Sequence, residues 1–314
     1  MDDDLPLTPQ VAAADLLLMG DEHAGARPAE ALARYEAAAG GGDAIAHMRM
    51  ALMAAQGLGR APDWREAFAR LTQSALLGNG AARRQLEVLS ECSLVGDGDV
   101  RAAGSTLDPA LLLTPPPVRA LSESPRVGAI DGFATPAMCA WLVERAERLL
   151  EPTMVYVGGQ LRADARRTAR AARFDFLRRD MIVAVLQERL ARLIRLQTPF
   201  HEPPNVLSYE PGEQFSEHFD FIDPNGGFRA EIEAIGQRVA TCLTYLNDKY
   251  EGGETYFPEI DLRYRGKPGD ALIFFNVAPG REVDRRTRHA GLPPTAGRKW
   301  LLSQWVREKM LPLM

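Results

Sequence analysis

His218 and Asp220 are separated by a single residue. A histidine and a carboxylate at i and i+2 share a face only on extended chain; a helix would turn them about 200° apart. The stretch Tyr209 to Asp220, YEPGEQFSEHFD, is therefore read as strand, turn and strand. Pro211-Gly212 makes the turn, and Phe215 to Phe221 is extended. Phe215, Phe219 and Phe221 fall on the opposite face of that strand and are expected to pack. Two such side chains do not complete a metal site, so the rest of the chain must supply a third.

The chain around this stretch divides by pattern. Its 314 residues favour two domains. From Val11 to Leu89 it is rich in Ala and Leu, in helix-length blocks broken by Gly, Pro and Asp. The block from Glu30 to Ala39 reads like that from Glu66 to Ala75, an offset of 36 residues. Such a period marks stacked helical pairs, which bury their apolar faces only against neighbours. Residues 1–92 are therefore read as an all-α helical-repeat domain, either a docking surface or a small helical cap. His23 and His47 within it are taken as structural or surface residues. Residues 93–125, with Pro115-Pro116-Pro117, are read as a Pro/Gly-rich linker, and 126–314 as the second domain. There Thr135-Pro136 starts a helix running to about Leu150. A second amphipathic helix is expected from Asp180 to Leu196. Between them Arg162 to Arg179 holds seven arginines, either a basic lip or a solvated segment.

After Pro203-Pro204 the period changes from 3.6 to 2. Strands are expected at Asn205–Tyr209, Arg238–Leu246, Ala271–Val277, Thr287–Ala290 and Arg298–Val306, with turns at Gly252-Gly253 and Lys267-Pro268-Gly269-Asp270. Many short strands with helices only upstream make this a jelly-roll barrel in an α+β chain, not a doubly wound sheet.

Five histidines are present. His201 sits in a polar turn and reads as structural. His289 lies late in the β region and is the expected third ligand. One carboxylate and two imidazoles form the facial triad of non-haem iron(II) oxygenases, with three positions left open. Two can take a bidentate 2-oxo acid and one can take dioxygen. Ten residues after His289 stands Lys299, sharing a strand face with Leu301, Ser303 and Trp305. Taken alone it reads as a snorkelling surface lysine. Buried in a barrel, its ammonium would need an anionic partner, which 2-oxoglutarate supplies.

These segments in order (Tyr209…Gly212…His218-Phe219-Asp220, RVATCLTYLND, GGETYFP, KPGDALIFFN, His289 and GRKWLLSQWVRE) resemble the catalytic domain of prolyl 4-hydroxylases, which are iron(II)- and 2-oxoglutarate-dependent dioxygenases. The resemblance runs from Val127 to Glu308. It implies a double-stranded β-helix flanked by helices, with Fe(II) held by His218, Asp220 and His289. It further implies Lys299 on the distal carboxylate of 2-oxoglutarate, Tyr209 hydrogen-bonded to the same cosubstrate, and Thr255 and Trp305 lining that pocket. The implied reaction splits 2-oxoglutarate to succinate and CO2, consumes O2 and hydroxylates an unactivated C–H bond, with ascorbate as reductant. The substrate implied is a prolyl residue of a peptide or protein. The Asp284–Arg288 segment and the 162–179 segment are more basic than the family pattern. The N-terminal third resembles tetratricopeptide-type repeats of the SEL-like class, which would help to dock the substrate. Two other readings stay open: the same chemistry on a free amino acid or small metabolite, and a repeat-based interaction or oxygen-sensing protein with a non-catalytic oxygenase fold.

The net charge of −5 argues against a nucleic-acid partner. No apolar run is long enough to span a bilayer. MDDDLPLTPQ lacks the basic and apolar regions of a signal peptide, and the widely spaced Cys92, Cys139 and Cys242 fit a reducing compartment. The expected location is cytoplasmic.

Overall fold

The computed structural model describes residues 5–20, 25–153, 155–157, 160–162, 166–280 and 282–313, with backbone only at 155–157 and 160–162. His23 lies outside the described residues, as do residues 163–165 of the arginine-rich segment. The helices, in chain order, are α1 (Pro9–Met19), α2 (Pro28–Gly40), α3 (Ala44–Gln56), α4 (Trp64–Leu76), α5 (Gly80–Ser90), α6 (Asp97–Thr106), α7 (Pro109–Leu112), α8 (Pro136–Glu147), α9 (Met181–Ile194) and α10 (Arg229–Ile235). Among the described residues no helix is long and apolar enough to cross a membrane.

Two compact units are present, and the boundary is not linear in sequence. The first comprises residues 1–114, 176–199 and 312–314. Its helices begin where polar side chains cap free backbone amides. Thr8 accepts from the Val11 amide, Asp43 from Ile45 and Ala46, Asp63 from Glu66, and Asn79 from Ala82. Successive helices from α1 to α5 pack on one another. The starts of α2 and α4 are 36 residues apart, as are those of α3 and α5. In the interior the Asp15 carboxylate accepts from the Tyr35 hydroxyl and from Arg49, whose Nη1 donates to the Leu177 carbonyl at 2.7 Å.

Helix α9 belongs to this unit, contrary to its expected place in the 126–314 domain. It packs on α3 and α5, the Met181 amide donates to Gln85 Oε1 at 2.9 Å, and Arg189 Nε donates to the Leu112 carbonyl at 2.7 Å. Its spacing showed an apolar stripe, but a stripe does not say which partner covers it. Nor is 93–125 a structureless linker: it contains α6, α7 and the first strand of the second unit. Asp99 caps the amides of Val95 and Gly96, and Val100 and Ala103 are buried. The extended prolines only bridge the two units' segments at 114–115.

The second unit, residues 115–175 and 200–311, carries the strands. In chain order they are β1 (Arg119–Glu123), β2 (Arg126–Ile130), β3 (Glu151–Pro152), β4 (Val155–Val157), β5 (Gln160–Arg162), β6 (Arg170–Arg173), β7 (Asn205–Tyr209), β8 (Phe215–His218), β9 (Arg238–Tyr245), β10 (Tyr250–Gly252), β11 (Thr255–Phe257), β12 (Leu262–Tyr264), β13 (Ala271–Phe275), β14 (His289–Gly291), β15 (Pro294–Gly297) and β16 (Lys299–Arg307). An eight-stranded antiparallel sheet runs β1-β2-β13-β9-β16-β7-β6-β3 and a four-stranded sheet runs β12-β11-β14-β8. Between them lies an apolar core of Leu207, Leu243, Leu272, Phe274 and Leu301 from the large sheet and Phe257 from the small one. Phe257 meets Phe274 edge to face at 5.2 Å. The mixed helix-and-sheet chain with two antiparallel sheets agrees with the expected jelly roll.

One turn of this unit admits no side chain. Gly269, in the turn before β13, has φ +94°, and a Cβ there would collide with the Ala134 carbonyl oxygen. The same residue exchanges backbone hydrogen bonds with Ala134 and Tyr245. Gly269→Ala is expected to destabilise the second unit by about 2 kcal/mol or more, read as a lowered urea midpoint; an unchanged midpoint would contradict the collision.

Candidate functional site

Strands β8 and β14 pair antiparallel, with His218 directly opposite His289. The imidazole centroids are 4.2 Å apart. Asp220 lies just past the end of β8. Its Oδ1 is 3.5 Å from His218 Nε2 and its Oδ2 3.7 Å from His289 Nε2. One donor atom from each of the three residues falls within 4.8 Å of the others. A single ion can therefore touch all three.

Each histidine is oriented by its own backbone. His218 Nδ1 is 2.8 Å from the Ser216 carbonyl and His289 Nδ1 is 2.9 Å from the Thr287 carbonyl. A carbonyl can only accept, so Nδ1 carries the proton in both rings and Nε2 presents its lone pair. Two imidazoles and one carboxylate, with no thiolate among them, suit a divalent iron-type ion.

Two local expectations are corrected. The strand ends at His218, so Asp220 is presented by the bend after it and not by a continuous strand. Phe215 does not face away from the ligands. It pairs with Gly291, so that the four residues Phe215–His218 of β8 stand against the three residues His289–Gly291 of β14. This irregularity shifts the alternation, and Phe215 stacks on His218 at 3.4 Å and 13°. Phe219 and Phe221 do stack on each other, at 4.6 Å.

The site is short of water. Burial works to raise the Asp220 carboxyl, but His289, His218 and the Thr241 hydroxyl together hold it well below the usual carboxylate range. Burial lowers His289 to about 4, with His218 adding to the effect and Asp220 opposing it. Burial also pushes the Tyr209 hydroxyl up to about 12, so this phenol stays a hydrogen-bond donor.

A cavity opens on the three ligands. Its wall also carries every other residue singled out above: Tyr209 from β7, Thr255 from β11, and Lys299 and Trp305 from β16. Lys299 is only 1 % exposed. Its Nζ donates to the Gly253 carbonyl at 2.7 Å and lies 5.2 Å and 5.7 Å from the ring centroids of Tyr209 and Tyr245. It makes no ion pair among the described residues. Burial lowers it to about 7, partly offset by Glu254. Thr255 is held by the Tyr245 hydroxyl at 2.8 Å. The Trp305 indole N–H is buried without a partner in the described structure, and Arg238 stacks 3.8 Å above the ring. Leu207, Leu243 and Leu301 make the apolar part of the wall.

Sequence reasoning missed Arg167. It was one of seven arginines in a segment read as lip or solvent-exposed chain. It lies half-buried on the cavity wall, 4.8 Å over the Phe215 ring, with burial lowering its guanidinium and its Nε unpaired. Its backbone forms a β-bridge with Phe215. The basic run before His289 is neutralised instead: Arg288 pairs with Glu217 and Glu259, Arg285 with Asp223, and Arg286 with Asp284. His201 is buried and bridges to Val306, apart from the ligand cluster.

A family profile described as the 2OG-Fe(II) oxygenase superfamily matches residues 204–307. Probable prolyl 4-hydroxylase 9 of Arabidopsis thaliana is 28% identical over 212 residues, covering 62% of this chain and 72% of its own. Prolyl 4-hydroxylase 1 of the same plant is 31% identical over 205 residues, covering 60% and 71%. Among solved structures, the viral collagen prolyl hydroxylase of Paramecium Bursaria Chlorella virus-1 in its 2OG complex has 24% identity, covers 58% of this chain and 95% of its own, and gives a TM-score of 0.41. On the extent and identity of these sequence matches, the chain belongs to the prolyl 4-hydroxylase family of 2OG-Fe(II) oxygenases.

Proposed function

We propose that this enzyme hydroxylates a prolyl residue of a peptide or protein at the cavity between its two sheets. As a 2OG-Fe(II) oxygenase it uses Fe(II), 2-oxoglutarate and O2, with ascorbate typical as reductant. When bound, the iron couples cleavage of 2-oxoglutarate to succinate and CO2 with insertion of one oxygen atom of O2 into a substrate C–H bond. The observation that carries the assignment of residues is a buried ammonium without an ion-pair partner, Lys299, in the same cavity as a His-Asp-His cluster.

His218, Asp220 and His289 would hold the metal, each imidazole kept in the right tautomer by its carbonyl. Lys299 would take the distal carboxylate of 2-oxoglutarate, with Tyr209 donating to the same ligand and Thr255 shaping the pocket beside it. The apolar wall keeps water from the reacting carbon. Arg167 and the Trp305 N–H offer unspent donors at the cavity wall, suited to the carbonyl oxygens of an extended peptide. The paired 36-residue spacing of α2/α3 and α4/α5 supports reading the first unit as SEL-like helical repeats that dock the substrate protein. The free thiols of Cys92, Cys139 and Cys242 support placing the enzyme in a reducing compartment such as the cytoplasm.

Three outcomes test this. Anaerobic Fe(II) with 2-oxoglutarate should give a visible charge-transfer band in the full chain, and Asp220→Ala or His218→Ala should remove it. A band unchanged in either variant would exclude that residue as a ligand. Proline-containing peptides should gain one oxygen at proline with matching succinate release; oxygen delivered to free amino acids, with peptides untouched, would move the substrate to small molecules.

The third concerns protons. Lys299 is lowered to about 7 in the free site, and a bound carboxylate favours its charged form, raising it again. Binding therefore takes up a proton above that pH, and the apparent affinity for 2-oxoglutarate should weaken as pH rises past about 7, by up to tenfold per unit. Lys299→Gln should weaken 2-oxoglutarate binding at least about thirtyfold, abolish the proton uptake and leave metal affinity near that of the wild type. Calorimetry in buffers of different ionisation enthalpy reads all of these, and equal loss of metal and cosubstrate would contradict the assigned role.

A further inference from the structure

Two of the three ligands are joined by one continuous chain of hydrogen bonds that passes behind the site. It begins at Asp220, whose Oδ2 accepts from the Thr241 hydroxyl at 2.8 Å. The Thr241 oxygen accepts in turn from the Asn276 amide, Nδ2, at 3.1 Å. The Asn276 backbone carbonyl accepts from the Asp284 amide at 2.9 Å. The Asp284 carbonyl takes both the hydroxyl of Thr287, at 2.7 Å, and its amide, at 3.1 Å. The Thr287 carbonyl then accepts from His289 Nδ1 at 2.9 Å. Thr241, Asn276 and Thr287 are each fully buried at 0 % exposure.

Every direction along this chain is forced. A carboxylate only accepts, so the single Thr241 proton goes to Asp220. The Thr241 oxygen can then only accept, so the NH2 end of Asn276 must face it. The opposite amide orientation would set two acceptors against each other at a buried position, at a cost comparable to a lost hydrogen bond or more.

The elements that carry the chain differ in sequence and in sheet. Thr241 is on β9 and Asn276 follows β13, both in the large sheet; His289 begins β14 in the small sheet, and Asp220 follows β8. Asn276 is the point where the two branches meet: its side chain reaches Asp220 through Thr241, and its backbone reaches the loop that presents His289. Resting on the reading of the triad as a metal site, we infer that Asn276 and Thr241 are positioning residues that set Asp220 and His289 against each other for a divalent cation. Thr241 ties down one carboxylate oxygen and with it the rotation of the carboxylate. Asn276 orients that hydroxyl and anchors the His289 loop to the same point.

Mn(II) binding tests the inference without turnover, because free aqueous Mn(II) gives an electron paramagnetic resonance signal that disappears on binding. Thr241→Val keeps the shape and loses the hydroxyl; Asn276→Leu loses the amide; Thr241→Ser restores the hydroxyl. With the full chain, the first two are expected to weaken Mn(II) about ten- to a hundredfold, with Thr241→Ser within about threefold of wild type. Wild-type affinity in Thr241→Val, or a Thr241→Ser as weak as Thr241→Val, would overturn the inference, the second result because it assigns the loss to packing. The serine and leucine variants carry the decision if the valine variant does not fold. Wild-type protein that binds no Mn(II) would sink the metal reading itself, so the two failures are distinguishable.

Discussion

The pairing of β8 with β14 is the constraint on which the site depends. It sets His218 opposite His289, at a separation that neither strand could produce alone. The lone pairs of the two Nε2 atoms and the oxygens of Asp220 then converge from three directions. Around them the protein has removed water: Asp220 is 4 % exposed, His289 3 % and Lys299 1 %. Burial of so much unlike charge in one cavity is costly unless each group is met by a partner. For Asp220 the partners are the two imidazoles and Thr241. Among the described residues, Lys299 is met by a backbone carbonyl and two aromatic faces and makes no ion pair. That asymmetry separates the two ends of the cavity chemically, and on the proposed reading one end takes a cation and the other an anion.

The large sheet acts as the frame. Lys299 stands opposite Tyr209 across the β16–β7 pair, so the two groups assigned to the cosubstrate are fixed in one register. A slip of β16 by one residue would send Lys299 to the outer face, away from Tyr209. The small sheet is shorter and irregular, and its irregularity has a consequence. Because four residues of β8 are accommodated against three of β14, Phe215 turns inward and lies flat on His218. The ring thereby becomes both a wall of the cavity and a stop on rotation of a ligand, while the Arg167 guanidinium lies over the same ring. Hydrogen bonds behind the site, through Thr241 and Asn276, connect the frame to the ligands.

Much of this was legible before folding. The His-x-Asp spacing, the change of period after Pro203-Pro204, the buried runs of β9 and β13 and the inward face of β16 are all local signals, and they pointed to His218, Asp220, His289 and Lys299; the family resemblance added Tyr209, Thr255 and Trp305, and all seven line one cavity. Other parts were not legible. Phe215 was misplaced because a bulge changes strand parity without any mark in the sequence. Arg167 was hidden among six other arginines, since a side chain's neighbours and not its type decide whether it meets solvent or a cavity. Asn276 lay within the expected strand Ala271–Val277, with nothing to mark its partners. Helix α9 showed its apolar stripe plainly but not that the stripe belongs with helices more than ninety residues earlier.

By itself, then, the sequence determined which residue types could form a metal and carboxylate site, which face of each strand they occupy and where helices give way to strands. Those properties follow from the repeat of the backbone over a few neighbouring residues. Only the tertiary structure decided that Asp220 sits on a bend, that Arg167 lies on the cavity wall, and that one buried asparagine ties two ligands together. These depend on contacts between segments far apart in the chain, where register, bulges and burial are settled by packing, and no local pattern encodes them.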